Sequence, residues 1–195
     1  QLYSNSAITH YSVFLNDDWD GTSNDNIYWN TDATAHDDYV KNTKAITIGS
    51  SNSDITITGV IPNGLAANST STPSVNSLTK SGSGTFYLTG NNTYGGGTTV
   101  SAGILCSGMN NASNTTFGSG SISVASGATL WIDGTNDGVY SNTLTLDGGT
   151  FLLTGTCYYD GNIILTSNST LRSATEINYL DGIISGTSKI GRASC

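Results

Sequence analysis

The sequence is short of charge. Lys, Arg, Asp and Glu make up 10% of its 195 residues, against about a quarter in ordinary globular domains. Its six Lys and Arg are scattered and the net charge is −8. Phosphate backbones need clustered cations, so nucleic acid is excluded as a partner. No apolar run approaches the roughly 20 residues that span a bilayer, so membrane insertion by this segment is not expected. No signal peptide is visible at Gln1. A chain that starts without Met reads as a mature, processed form or an excised fragment. There are two histidines, His10 and His36, too few for a multi-His zinc site. There are two prolines and three cysteines, Cys106, Cys157 and Cys195, with no CxxC spacing. An odd count leaves a thiol over or implies an intermolecular bridge. For Cys106 and Cys157 the plain alternative is a small buried hydrophobe. No useful stretch shows the 3.6-residue period of a helix.

Ser, Thr, Asn and Gly fill the gap, at roughly half of the chain by count. Disorder usually comes with high charge and few β-branched residues. Here Val, Ile, Leu and Thr fall in short ordered runs, which predicts an all-β fold rich in turns.

Residues 1–45 differ from the rest. They hold seven of the 17 aromatics, Tyr3, Tyr11 and Trp19 among them, and residues 1–40 carry seven aspartates and no Lys or Arg. We read them as an N-terminal cap or small irregular β region. Residues 46–195 read as a parallel β-helix of about seven coils, open at its C-terminal end. Leu78, Val100, Ile122, Leu144, Ile163 and Ile183 recur at spacings of 22, 22, 22, 19 and 20 residues. A steady period of this size marks a solenoid. "SISVASGATLWIDG" from Ser121 has the form strand, small-residue turn, strand. Period-two alternation puts its apolar residues on one face. One coil cannot bury that face alone. Stacked coils bury a continuous column and leave outward positions free to be Ser, Thr and Asn.

The segment "LTKSGSGTFYLTGNNTYGGGTTVSAGIL", Leu78 to Leu105, resembles the autotransporter-associated β-strand repeat. The matching positions are Leu78, Lys80, Gly82, Gly84, Thr85, Leu88, Gly90, Asn92, Tyr94, Gly96, Gly97, Thr98, Val100, Gly103 and Leu105. Phe117 to Ile132 looks like the usual continuation. Ile55 to Gly64 and Leu180 to Gly191 look like lead-ins to a copy. The resemblance implies a right-handed parallel β-helix exported to a bacterial surface, in the manner of a passenger. It fixes no biochemical activity.

Candidate sites are few. Asp17, Asp18, Asp20 and Asp25 would offer oxygens to Ca²⁺, although their spacing is not that of an EF-hand. A solvated acidic loop with Asx turns accounts for them equally. No cofactor other than Ca²⁺ is expected. His36 with Asp37 and Asp38 carries no catalytic assignment. A glycosidase needs two facing carboxylates. Here Asp133, Asp147, Asp160 and Asp181 each precede a glycine, where a turn role suffices, though Asp133 and Asp160 would fit neighbouring coil corners. Arg172 is the one basic residue suited to a lyase. The sequons at Asn68, Asn91, Asn111, Asn114 and Asn168 are expected by chance in such a composition. Tyr158 and Tyr159 are adjacent, so one must face outward, and Trp131 faces outward by alternation.

The expected role is therefore an extracellular or cell-surface structural or adhesive protein, not an enzyme. Its partners would be itself, as a homopolymer, or a host or matrix surface. Unpaired coil ends invite joining, and head-to-tail joining gives a filament. The expected interface comprises Ile177, Leu180, Ile183, Ile184 and Ile190 at one end and Tyr3, Tyr11 and Trp19 at the other. The competing reading is a carbohydrate-active enzyme or sugar-binding module, or a viral fibre of the same architecture.

Overall fold

A computed structural model describes residues 2–3, 8–10, 45–49, 55–57, 61, 63, 75–108, 115–134, 138–174 and 178–192. All regular structure among them is strand. Two parallel sheets carry eight strands each, and a third carries three. In the first sheet the strands Ala45–Gly49, Ser77–Ser81, Thr98–Val100, Ile122–Ala125, Leu144–Asp147, Ile163–Ser167 and Ile184–Gly186 stack in chain order. The second sheet stacks Ile55–Ile57, Thr85–Leu88, Ile104–Cys106, Thr129–Gly134, Thr150–Gly155, Ser169–Ser173 and Ile190–Arg192. The third pairs Val139–Tyr140, Cys157–Tyr159 and Asn178–Leu180. The chain visits the sheets in turn, so each circuit lays one strand on the circuit before. This is a β-solenoid.

Leu2–Tyr3 and Ile8–His10 open the two long sheets by pairing with Ala45–Gly49 and Ile55–Ile57. The region read as a cap thus contributes the outermost described strand of each sheet. Residues 11–44 lie outside the described residues.

The core follows from alternation. In the first sheet one inward column runs Leu78, Thr98, Ile122, Leu144, Ile163 and Ile184. A second runs Lys80, Val100, Val124, Leu146 and Leu165. The second sheet adds Phe86, Leu105, Leu130, Phe151 and Leu171. Tyr140, Tyr159 and Leu180 complete the wall from the third. From Leu78 to Leu165 these side chains form one buried cluster, with Leu171 and Leu180 packed against it. Each fully buried aliphatic or aromatic side chain contributes about 1.5–3 kcal/mol through burial.

Two positions in the expected column shift. Thr98, not Val100, sits between Leu78 and Ile122. Both face inward, being two residues apart, and hydrophobicity alone favoured the valine. Ile184, not Ile183, continues from Ile163. Ile183 stands at the corner, 70% exposed.

Candidate functional site

The segment Leu78 to Leu105 supplies two successive strands to each long sheet, and its characteristic residues turn inward. Lys80 shares the inward face with Leu78 because they are two residues apart in one strand. Its side chain is 1% exposed. The Lys80 Nζ donates to the carbonyls of Ser81 at 2.9 Å, Gly82 at 2.8 Å and Ala102 at 3.1 Å. It thereby closes its own turn and ties it to the next coil. Burial pushes the amine down to about 8, and three carbonyl acceptors favour the ammonium against that. The turn at Gly103 has φ +66°, and a Cβ there would run into the carbonyl oxygens of Gly82 and Gly84 and the Lys80 amine. The lysine and the glycine occupy one fitted corner.

Asn92 and Tyr94 do similar work. Asn92 Oδ1 accepts from the Ile61 amide at 2.7 Å, and its Nδ2 donates to the Thr116 carbonyl at 2.5 Å. One buried side chain thus bridges the coil before and the coil after. The Thr98 hydroxyl donates to the Phe117 carbonyl at 3.0 Å. Its single proton is then used, so Tyr94 Oη is the donor in the 2.7 Å bond between them. Burial raises the Tyr94 phenol. These residues hold the solenoid together and present no reactive group outward.

Outward positions form rows across the coils. On the second sheet Tyr87, Cys106, Trp131 and Leu152 are in register, with Cys106 wholly buried and the other three half-buried. Trp131 is half-buried, its ring lies edge-on to Tyr87 at 6.4 Å, and its indole N–H donates to Thr154 Oγ1 at 2.8 Å. Thr154 in turn hydrogen-bonds Asp133. Asp133 is 6% exposed, and burial raises its carboxyl. Asp133 and Gly134 belong to the strand Thr129–Gly134, so the expected turn at this pair is not there. Asp160 follows the third sheet and is exposed. Asp133 thus lies within the second sheet, and Asp160 in the corner after the strand Cys157–Tyr159. Asp147 is exposed and accepts from Thr166 and Ser167, which lower its pKa.

On the third sheet Val139, Tyr158 and Tyr179 form an outward row. Tyr158 stacks on Tyr179 with ring centroids 4.7 Å apart and planes 4° from parallel. Tyr159 turns inward, and its hydroxyl donates to the Asn142 carbonyl at 2.7 Å. Adjacency therefore sorts the pair as alternation requires, with Tyr158 outside. Arg172 is exposed on the outer face of the second sheet.

Cys106 and Cys157 are both buried free thiols. Desolvation is the main cause in each case, pushing Cys106 up to about 12 and Cys157 up to about 11. A thiol held protonated is a poor nucleophile and metal ligand. Among the described residues no group of three His, Cys, Asp or Glu is placed to hold a metal. The aspartates considered for Ca²⁺, Asp17, Asp18, Asp20 and Asp25, lie outside the described residues, as do Cys195, Tyr11, Trp19 and Ile177.

The last described coil differs from those before it. Its strands Asn178–Leu180, Ile184–Gly186 and Ile190–Arg192 each pair on one side only among the described residues. Ile184 and Ile190 continue inward positions of Ile163 and Ser169, which are buried, yet are 41% and 39% exposed. Leu180 is half-buried, and Tyr179 is 42% exposed. Asn162 and Asn168 of the preceding coil accept from the amides of Ile183 and Lys189. Ile183 now stands at the corner where Asn162 stood one coil earlier.

One family model matches the chain: the passenger-associated-transport-repeat, over residues 78–105. The segment is similar to that repeat, and it lies within a β-solenoid. No curated protein and no solved structure matches the chain. A passenger repeat implies a secreted or surface domain, and it is not the mark of an enzyme family. The clamp at Lys80 and the clip at Asn92 show why such a repeat is recognisable. Lys80 and Asn92 each hydrogen-bond a neighbouring coil, so changing either breaks a bond between coils.

Proposed function

We propose that this chain is an extracellular, cell-surface structural or adhesive solenoid whose last described coil is a joint for end-to-end self-assembly into a filament. The observation that supports the reading is the exposure of Ile184 and Ile190 at positions whose counterparts in the preceding coil, Ile163 and Ser169, are buried. Three strand edges beside apolar inward residues are a template for another parallel coil. The first-sheet row Thr79, Thr99, Ser123 and Thr145 and the tyrosines of the third sheet supply a regular surface for contact with a host or matrix. In this reading the chain has no catalytic role and needs no cofactor. Ca²⁺ at the aspartates of residues 17–25 remains a proposal, tested by a calcium-dependent rise in melting temperature.

The test is electron microscopy of the concentrated protein with intact mass on the same sample. Filaments built of subunits near 20.2 kDa are expected. Monomeric rods at every concentration would defeat the assembly reading.

The stacked pair Tyr158 and Tyr179 favours a second reading, a sugar-binding module. Aromatic faces and edges along a ridge pack against the apolar faces of saccharides. A glycan panel reads this directly. Saccharide binding lost on Tyr158→Ala and Tyr179→Ala would support it, and new reducing ends would make the protein an enzyme.

A further inference from the structure

We infer that the outer wall of the third sheet binds a basic, arginine-bearing segment of a partner protein, held against Tyr158 and Tyr179 and paired with Asp160 and Asp181. This inference rests on the adhesive reading above and names the chemistry of the partner. Three observations carry it.

The first is a repeated corner. "YYDG" from Tyr158 and "YLDG" from Tyr179 occupy the same place in successive coils. The Asp160 amide donates to the Tyr140 carbonyl at 2.8 Å, and the Asp181 amide donates to the Tyr159 carbonyl at 3.0 Å. A Cβ at Gly161 would run into the Asn142 carbonyl, and one at Gly182 into the Gly161 carbonyl, so the corners nest closely. Asp160 and Asp181 therefore stand at equivalent positions one coil apart, about 4.8 Å along the stack.

The second is an aromatic surface beside those aspartates. Tyr158 covers one face of Tyr179, with the planes 4° from parallel, and Tyr179 is still 42% exposed. Each aspartate comes two residues after its tyrosine and is exposed. Rings and carboxylates are thus neighbours on one wall. This wall is clear of the inward columns that the joint would extend.

The third is charge. Between Lys80 and Arg172 the chain has no Lys or Arg, and its net charge is −8. Like charges held side by side repel, so a cation between Asp160 and Asp181 is favoured. The acidic field of the whole chain draws basic partners toward it. A guanidinium answers both features of the wall. It stacks on an aromatic ring, and its planar fork of donors pairs with carboxylates. A neutral saccharide packs on the rings but leaves the repulsion between the carboxylates in place.

Fluorescence anisotropy of a labelled oligo-arginine peptide, titrated with the full chain, tests the inference. Asp160→Asn with Asp181→Asn should weaken binding about tenfold, as two exposed ion pairs are lost. Tyr179→Ala should weaken it up to about fivefold through the lost stacking. Asp147→Asn removes a charge from the first sheet and should change affinity by less than about twofold, because distant exposed charges are screened. An oligo-lysine of equal length should bind more weakly than oligo-arginine. A loss at Asp147→Asn as large as at Asp181→Asn alone, or no peptide binding, would overturn the inference. The adhesive reading then stands if glycan-coated or matrix-coated surfaces still retain the protein, and fails with the inference if none does.

Discussion

The middle of the solenoid and its last described coil are built from similar residues and behave differently. Between Leu78 and Leu165 the inward isoleucines, leucines and phenylalanines are almost wholly buried. In the last coil Ile184 keeps its column but stays 41% exposed. The difference is not in the strands. It lies in whether a coil has neighbours on both sides. In a solenoid a residue's burial is a property of the stack, so the same side chain is core in one coil and exposed in another.

Substitutions sharpen this contrast. The largest effect is expected at Phe151, which is fully buried and lies edge-on to Tyr159 at 4.9 Å. Phe151→Ala should cost about 3–5 kcal/mol, read by urea unfolding. Ile184→Ala in the monomer should cost under about 1 kcal/mol, since little surface is lost from the core. Equal losses at the two sites would erase the comparison. Lys80→Met comes next. It leaves three carbonyls without their shared donor and should cost about 1–3 kcal/mol.

How far the sequence carried this picture depends on the feature. Alternation within strands and the spacing between them were enough for a stacked, all-β solenoid, and the repeat from Leu78 to Leu105 was legible. Position within a column was less so. Side-chain type favours Val100 over Thr98 and Ile183 over Ile184, whereas register selects the other member of each pair. The burial of Lys80 follows from its place two residues from Leu78 in one strand, hence on the same face. Asp133 was read as a turn aspartate from the glycine that follows it. Only pairing opposite Thr154 reveals it as a strand residue.

Acidity gives a smaller effect that again separates interior from surface. The folded amine of Lys80 lies near 8 and its unfolded value near 10.5. Between those values the unfolded chain holds more protons, so this group adds stability as pH rises. Cys106 and Cys157 act the other way. Their folded values exceed the ordinary 9.0, so the stability they add is complete below pH 9 and is lost as pH climbs through 11 to 12. The raised phenols of Tyr94, Tyr140 and Tyr159 steepen that loss above 10. Stability should therefore peak near pH 9. Cys106→Ser with Cys157→Ser should flatten the alkaline fall, and Lys80→Met the rise before it. A peak unmoved by either variant would show that these groups are not insulated from solvent.

The smallest expected effect is at the outer row. Tyr179→Ala removes one partner of a stacked pair and should cost about 0.5–1.5 kcal/mol, with the fluorescence of the remaining tyrosines reporting the lost stack.

The most direct test of the account is residue-resolved hydrogen exchange at low and high protein concentration. Amides of Ile184–Gly186 and Ile190–Arg192 should exchange fast in dilute solution and become protected on concentration, while those of Leu144–Asp147 stay protected throughout. Terminal amides whose exchange does not depend on concentration would contradict the claim that this coil is an open joint.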